Sequence, residues 1–255
     1  MRRCQTSCAW VLLAASAALL TGCPVSQPAP PGPTQHLKDA RTGADYWLYV
    51  PTRYDDTRQW PLVVTLHGTF GWDGPRRQVA EWGALAEERE FLVVAPELKS
   101  VQGLLPIVES AWFKDLEQDE RNTLAIIDDV CRRYPAVDRN AILLTGFSAG
   151  GYPLYYIGLR NPTRFNMLIA RDCNSNIAIF ERIGVTDEIR KMPIVIFWGT
   201  SDLQPIQDQS WAAYRWLRRH ECFQTRREEI AGGHLRRPDI AYKLWAARLP
   251  PRYRN

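Results

Sequence analysis

Hydrophobic residues along this 255-residue chain fall into short blocks of apolar and β-branched positions, separated by longer stretches in which apolar residues recur every three or four positions. Blocks bounded by Gly, Pro or polar turns read as buried strands, and they predict strands over 46–50, 62–66, 91–96, 141–145, 165–170, 194–198 and 226–230. The stretches with a helical period predict helices over 76–89, 120–134, 152–159, 207–220 and 239–247. Strand and helix alternate, so the expected fold class is α/β: a mostly parallel sheet with helices on both faces. In such a sheet right-handed crossovers carry the loops at the carboxyl ends of the strands to one edge, where functional residues gather. The chain contains no internal repeat.

The junction of the 141–145 strand with the 152–159 helix carries the sequence Gly146-Phe147-Ser148-Ala149-Gly150-Gly151. A glycine-flanked serine between a strand and a helix is a nucleophile elbow. The turn strains the serine backbone, lifts its hydroxyl above the sheet, and leaves no room for side chains two positions to either side. It also aims the first amides of the following helix at the serine, where a negative charge on a substrate oxygen would meet N–H donors. Ser148 is therefore the candidate nucleophile, and the Ala149 amide is one candidate oxyanion donor.

A serine nucleophile needs a base and an orienting acid, and on this architecture the acid precedes the histidine in the chain. Asp202 follows the strand 194–198 in Gly199-Thr200-Ser201-Asp202, and His234 follows the strand 226–230 after Gly232-Gly233. The strand 62–66 leads into His67-Gly68-Thr69-Phe70-Gly71, early enough to supply a second oxyanion amide from Thr69. His67 precedes the serine in a loop valued for its main chain, and it is expected to be structural. Phe70, Trp72, Trp112, Phe113, Phe147 and the segment from Arg171 to Asn176, with Asn174 in it, are the expected borders of a substrate pocket. Arg171, Arg236 and Arg237 are candidate contacts for an acidic substrate.

These motifs resemble the α/β-hydrolase superfamily, and within it the secreted serine esterases grouped with polyhydroxybutyrate depolymerases and feruloyl esterases. The resemblance runs from about residue 44 to the C-terminus. It implies an α/β-hydrolase fold with little or no cap, a Ser148–His234–Asp202 triad, and hydrolysis of carboxylic esters, small or polymeric, through an acyl-enzyme without cofactor or metal. Such esterases tend to carry an aromatic residue shortly after the histidine, whereas this chain reads His234-Leu235-Arg236-Arg237-Pro238. Two other readings use the same residues: a serine peptidase on this fold, and a binding protein built on a hydrolase scaffold.

Arg2 and Arg3 precede an apolar run over residues 9–20, too short to span a bilayer and matched to a secretory signal peptide. Leu20-Thr21-Gly22-Cys23 looks like a lipoprotein cleavage box, with residues 1–22 removed and Cys23 lipidated, unless the leader is an ordinary one and the cysteine incidental. The proline-dense stretch that follows reads as an extended stalk within a 23–40 linker, ahead of a catalytic domain over 41–255. The expected location is the bacterial cell envelope, with the lipid at Cys23 as the membrane contact. A net charge of +4, part of it in the leader, gives no footing for nucleic-acid binding. Cys131, Cys173 and Cys222 remain in an oxidising compartment, where their pairing is open. The four histidines are scattered, so no spacing suggests a metal site.

Overall fold

The computed structural model describes residues 34–102 and 109–253, so the leader, Cys23 and the proline-rich stretch lie outside the described residues. Eight strands form one sheet: β1 (Gln35–Lys38), β2 (Asp45–Tyr49), β3 (Trp60–Leu66), β4 (Leu92–Pro96), β5 (Val137–Ser148), β6 (Met167–Cys173), β7 (Ile194–Gly199) and β8 (Thr225–Ile230). Their order across the sheet is β1-β2-β4-β3-β5-β6-β7-β8. The six from β4 to β8 run parallel, and β1 and β2 are joined to the rest by antiparallel pairing. Among the described residues six α-helices lie between strands, α1 (Pro75–Arg89), α2 (Glu109–Arg133), α3 (Gly151–Arg160), α4 (Ile177–Ile183), α5 (Asp187–Lys191) and α6 (Gln204–Arg219), and α7 (Pro238–Ala246) follows β8.

Period-two side-chain alternation sorts the central strands between two cores. Leu62, Val64, Leu92, Val94, Ile142, Leu144, Leu168, Ile194 and Ile196 face α2, α3, α4 and α6, while Val63, Val93, Leu143, Ile169, Val195 and Phe197 face α1 and α7. Because both faces are covered, these strands are apolar almost throughout. The edge strand β8, Thr-Arg-Arg-Glu-Glu-Ile, alternates with solvent instead. The structure departs from the sequence reading at several ends. Residues 35–38, assigned to the linker, pair with β2 as strand β1. Helix α2 begins eleven residues earlier than expected, at Glu109 rather than 120, and β6 runs over 167–173 rather than 165–170. Two short helices, α4 and α5, fill the β6–β7 connection and add Ile179, Phe180 and Ile189 to the core. Cys131, Cys173 and Cys222 are all buried free thiols.

The face carrying α1 closes at its carboxyl end with a polar layer. Arg171 continues the row of Met167 and Ile169 and is fully buried. Its guanidinium donates to Thr145 Oγ1 at 2.9 Å, Thr65 Oγ1 at 2.9 Å, Gln78 Oε1 at 2.7 Å and the Arg236 carbonyl at 2.8 Å, and it lies 5.6 Å from the Trp82 ring centroid. Gln78 in turn donates to Asp73 Oδ2 at 2.7 Å, which also accepts the Gly68 amide at 2.7 Å. Asp73 Oδ1 and Glu81 Oε1 meet the Arg236 guanidinium at 3.4 Å and 3.1 Å. Burial lifts the Glu81 carboxyl to about 7 against the pull of Arg236 and Arg171. The layer joins β3, β5, β6 and α1 to the loops bearing Gly68 and His234.

At the β5–α3 elbow the main chain passes so close to the end of β3 that a Cβ on Gly150 would lie 2.4 Å from the Leu66 carbonyl oxygen. Two outcomes are expected. Gly150→Ala forces these backbones apart and lowers stability by about 1–3 kcal/mol in urea titration. Arg171→Lys keeps the charge but cannot span four acceptors with one ammonium; leaving buried oxygens unpaired, it lowers the unfolding free energy by about 3 kcal/mol.

Candidate active site

Ser148 ends β5 with φ at 53°, in the left-handed region that a non-glycine residue adopts only where its surroundings impose it. The next residue, Ala149, precedes α3, and its amide has no acceptor among the described residues. The same holds for Thr69, although its neighbours are satisfied: Gly68 N–H bonds Asp73 and Phe70 N–H bonds the Val101 carbonyl at 3.1 Å. Two main-chain donors without an acceptor among the described residues thus stand on the β3 and β5 loops, where a Cβ on Gly68 would lie 3.1 Å from Ser148 Cβ. His67 is enclosed. Its Nδ1 bonds the Gly68 carbonyl at 2.7 Å, its Nε2 accepts the Leu98 amide at 3.1 Å, and burial holds its pKa below the usual value. It shapes the loop.

Asp202 and His234 meet because their loops are tied together by main-chain bonds, from Thr200 N–H to the Ile230 carbonyl and from Ser201 N–H to the Gly232 carbonyl, both 2.8 Å. His234 Nδ1 lies 2.9 Å from Asp202 Oδ1 and 3.1 Å from Oδ2. A carboxylate there requires the proton on Nδ1, which leaves Nε2 free as an acceptor. The imidazole packs on the Phe147 ring at 4.7 Å, beside Ser148, and Arg236 covers the same ring at 5.0 Å. The Ser148 hydroxyl and the imidazole are not hydrogen-bonded in this structure; contacts of this kind often tighten only when substrate binds.

Sequence reading missed one member of this cluster. Asp172 was read only as part of a pocket border, yet it is fully buried beside Asp202 and His234. Its Oδ1 accepts the Gly199 amide at 2.7 Å, while Oδ2 is buried with no conventional donor. Burial and a hydrogen bond with the Asp202 carboxyl push it up to about 8. Burial also opposes ionisation of Asp202, but hydrogen bonds from His234 and Asp172 outweigh it and hold that group below its ordinary value. Asp172, Asp202 and His234 present oxygen and nitrogen atoms within 4.8 Å of one another, a set that could in principle grip a cation. Within it, His234 Nδ1 and the Asp202 carboxylate are paired with each other, and Asp172 Oδ1 accepts the Gly199 amide.

The expected substrate contacts divide. Phe70 and Trp72 are 50% and 65% exposed on the β3 loop. Phe147 is buried under the imidazole, and Asn174 is half-buried, donating to Gln209 Oε1 at 3.0 Å. Trp112 and Phe113 are not loop residues: both lie in α2, buried in the core, with Trp112 edge-on to Tyr152 and its indole N–H on the Ser100 carbonyl. The three arginines expected to meet an acidic substrate are spent on structure. Arg171 and Arg236 serve the polar layer, and Arg237 chelates Asp239 at the start of α7.

No family model matches the chain. Among curated proteins it is similar to dipeptidyl-peptidase 5 of Porphyromonas gingivalis, 24% identical over 135 residues, 49% of this chain and 18% of that protein. The match therefore spans less than a fifth of the relative. Solved structures with the same architecture include a ferulic acid esterase of Anaeromyces mucronatus, with TM-score 0.65 at 17% identity over 87% of this chain and 90% of the other. Another is a thermostable esterase, with TM-score 0.57 at 23% identity over 78% and 54%. The strand order, the elbow after β5 and these likenesses together establish that the chain has the α/β-hydrolase fold.

Proposed function

We propose that the protein is a serine hydrolase that cleaves carboxylic esters through an acyl-enzyme. The observation that carries this reading is the imidazole, bonded to Asp202 through Nδ1 and packed at a tilt against Phe147, the residue next to the elbow serine. His234 Nε2 takes the Ser148 proton as Oγ bonds to the ester carbonyl carbon, and the carbonyl oxygen becomes an oxyanion facing the amides of Thr69 and Ala149. The C–O bond to the alcohol then breaks, with His234 returning its proton to the leaving oxygen. Water repeats the sequence on the acyl-serine and frees the acid.

Exposed apolar residues on three of the catalytic loops, Phe70 and Trp72 after β3, Leu203 after Asp202 and Leu235 after His234, favour esters with apolar acyl or aryl groups of small to medium size. The similarity to a dipeptidyl-peptidase supports a second reading, amide cleavage at a peptide N-terminus. The lipoprotein-like box ending at Cys23 supports secretion and anchorage at the cell envelope, where several acyl chains on one residue would hold the domain durably.

Purified protein is expected to hydrolyse p-nitrophenyl esters of graded chain length, with methyl ferulate and polyhydroxybutyrate defining the upper size, and to be labelled by a fluorophosphonate probe. Ser148→Ala removes labelling and reduces kcat on the order of 10⁶-fold without changing the melting temperature. Turnover at the parental rate in that variant rules the mechanism out, and cleavage of dipeptidyl p-nitroanilides in preference to esters decides for the peptidase reading.

A further inference from the structure

Asp172 breaks the pairing of β6 with β5. Phe147 pairs with Arg171 and Ser148 with Cys173, so Asp172 is the extra residue of a bulge, and its φ of 48° puts it in the left-handed region. Bulges next to sites re-aim a side chain. Here the side chain turns to the ends of β7 and β8, where Gly199 N–H fixes Oδ1 and atoms of the Asp202 carboxyl and the His234 ring lie within 4.8 Å. A buried carboxylate beside another carboxylate is repelled and poorly solvated; a buried carboxylic acid there can donate. The charged and titratable groups facing it are Asp202 and His234 on the neighbouring loops, Arg237 before α7, and the adjacent Cys173 thiol. The Gly199 amide bonds it at 2.7 Å, and both that amide and the Leu235 amide favour its charged form against burial and Asp202.

We propose that Asp172 is a positioning residue, held as a neutral acid whose O–H donates to the Asp202 carboxylate and so fixes that carboxylate for His234 Nδ1–H. This rests on the reading of Ser148, His234 and Asp202 as a catalytic relay. Asp202 then accepts from Asp172 as well as from His234 Nδ1 and from the Leu203 amide, which reaches its Oδ1 at 2.6 Å. The arrangement holds only while Asp172 keeps its proton. Ionisation places two negative carboxyls in contact, and Asp202 swings off the imidazole.

Asp172→Asn is the decisive variant, because an amide still donates to Asp202, still accepts from Gly199 and tolerates the left-handed backbone. Its kcat at pH 7 is expected within about threefold of the parent, since a donor to the carboxylate is retained. The parent loses kcat as pH rises through about 8, while the variant, with nothing to ionise there, does not. Asp172→Ala lowers kcat roughly tenfold to a hundredfold at every pH, with KM little changed, as loss of one hydrogen bond to a charged group requires. Stability gives an independent reading. A carboxyl raised from 3.8 to about 8 on folding contributes stability that is complete below pH 4 and lost as pH rises through 8. The denaturation midpoint of the Asn variant should therefore gain on the parent across that interval. An infrared difference spectrum, parent minus Asn variant at pH 7, should contain a protonated-carboxyl stretch that disappears by about pH 9.

The same alkaline limb in both proteins, or no difference band, overturns the proposal. So does an Asn variant as inactive as Ser148→Ala, which would make Asp172 itself the acid that holds the imidazole. If the parent neither hydrolyses esters nor takes the fluorophosphonate probe, the catalytic reading fails instead, and the difference band still decides whether Asp172 carries a proton.

Discussion

Two main-chain contacts too close for any side chain hold the site of this protein together. At the first, Gly150 lies against the Leu66 carbonyl and binds the serine elbow to the loop that carries Thr69. At the second, a Cβ on Gly199 would sit 2.4 Å from the Gly232 carbonyl oxygen, which binds the acid loop to the histidine loop. Each contact fixes a pair that the proposed mechanism uses: Ser148 with the Thr69 loop, and Asp202 with His234. Neighbouring strands in a parallel sheet stand about 4.8 Å apart, so loops leaving them approach each other only where the side chain is missing. The chemistry needs separations near 3 Å, and these glycines close the difference.

What remains is to hold the two pairs in register with each other, and the buried polar layer does this. Arg171 reaches oxygens on β3, β5 and α1 and the main chain of the loop bearing His234, and Asp73 accepts from Gly68 in the loop after β3 while meeting Arg236. An apolar core would slide more readily than this network, in which every displacement strands a buried donor or acceptor at a cost of about 1–3 kcal/mol. The price of such a layer is desolvation of several charges, visible in the buried Glu81 Oε2 and Arg236 Nε atoms that have no hydrogen-bond partner.

Much of this was legible in the sequence, for physical reasons that differ between elements. The central strands are apolar on both faces, so their composition alone gave them away. The elbow and the histidine turn were readable because close approach demands glycine. Strand β1, Gln-His-Leu-Lys, is short, polar and at the sheet edge, and carries no signal that separates it from a linker. The first turns of α2 mix aromatic and charged residues without a clear period, which is why Trp112 was expected on a loop. Arg171 and Asp172 were the instructive cases. Both are charged residues at the end of an apolar strand, a pattern that usually marks solvent; strand alternation turns the first inward to α1, and the bulge turns the second towards Asp202.

The same logic separates what is fixed from what is free at the mouth of the site. Main-chain bonds and buried polar side chains hold the loops, and several of their apolar side chains stand largely in solvent. Phe70, Trp72, Leu203 and Leu235 are four of the five large apolar residues exposed among the described residues; the fifth, Phe223, lies on the turn leading into β8, at the amino end of the sheet. Apolar surface gathered on one edge, on loops whose backbones are already anchored, can be exchanged residue by residue without moving Ser148, His234 or Asp202. On the proposed mechanism, substrate preference and catalytic geometry thereby fall to different atoms of the same loops.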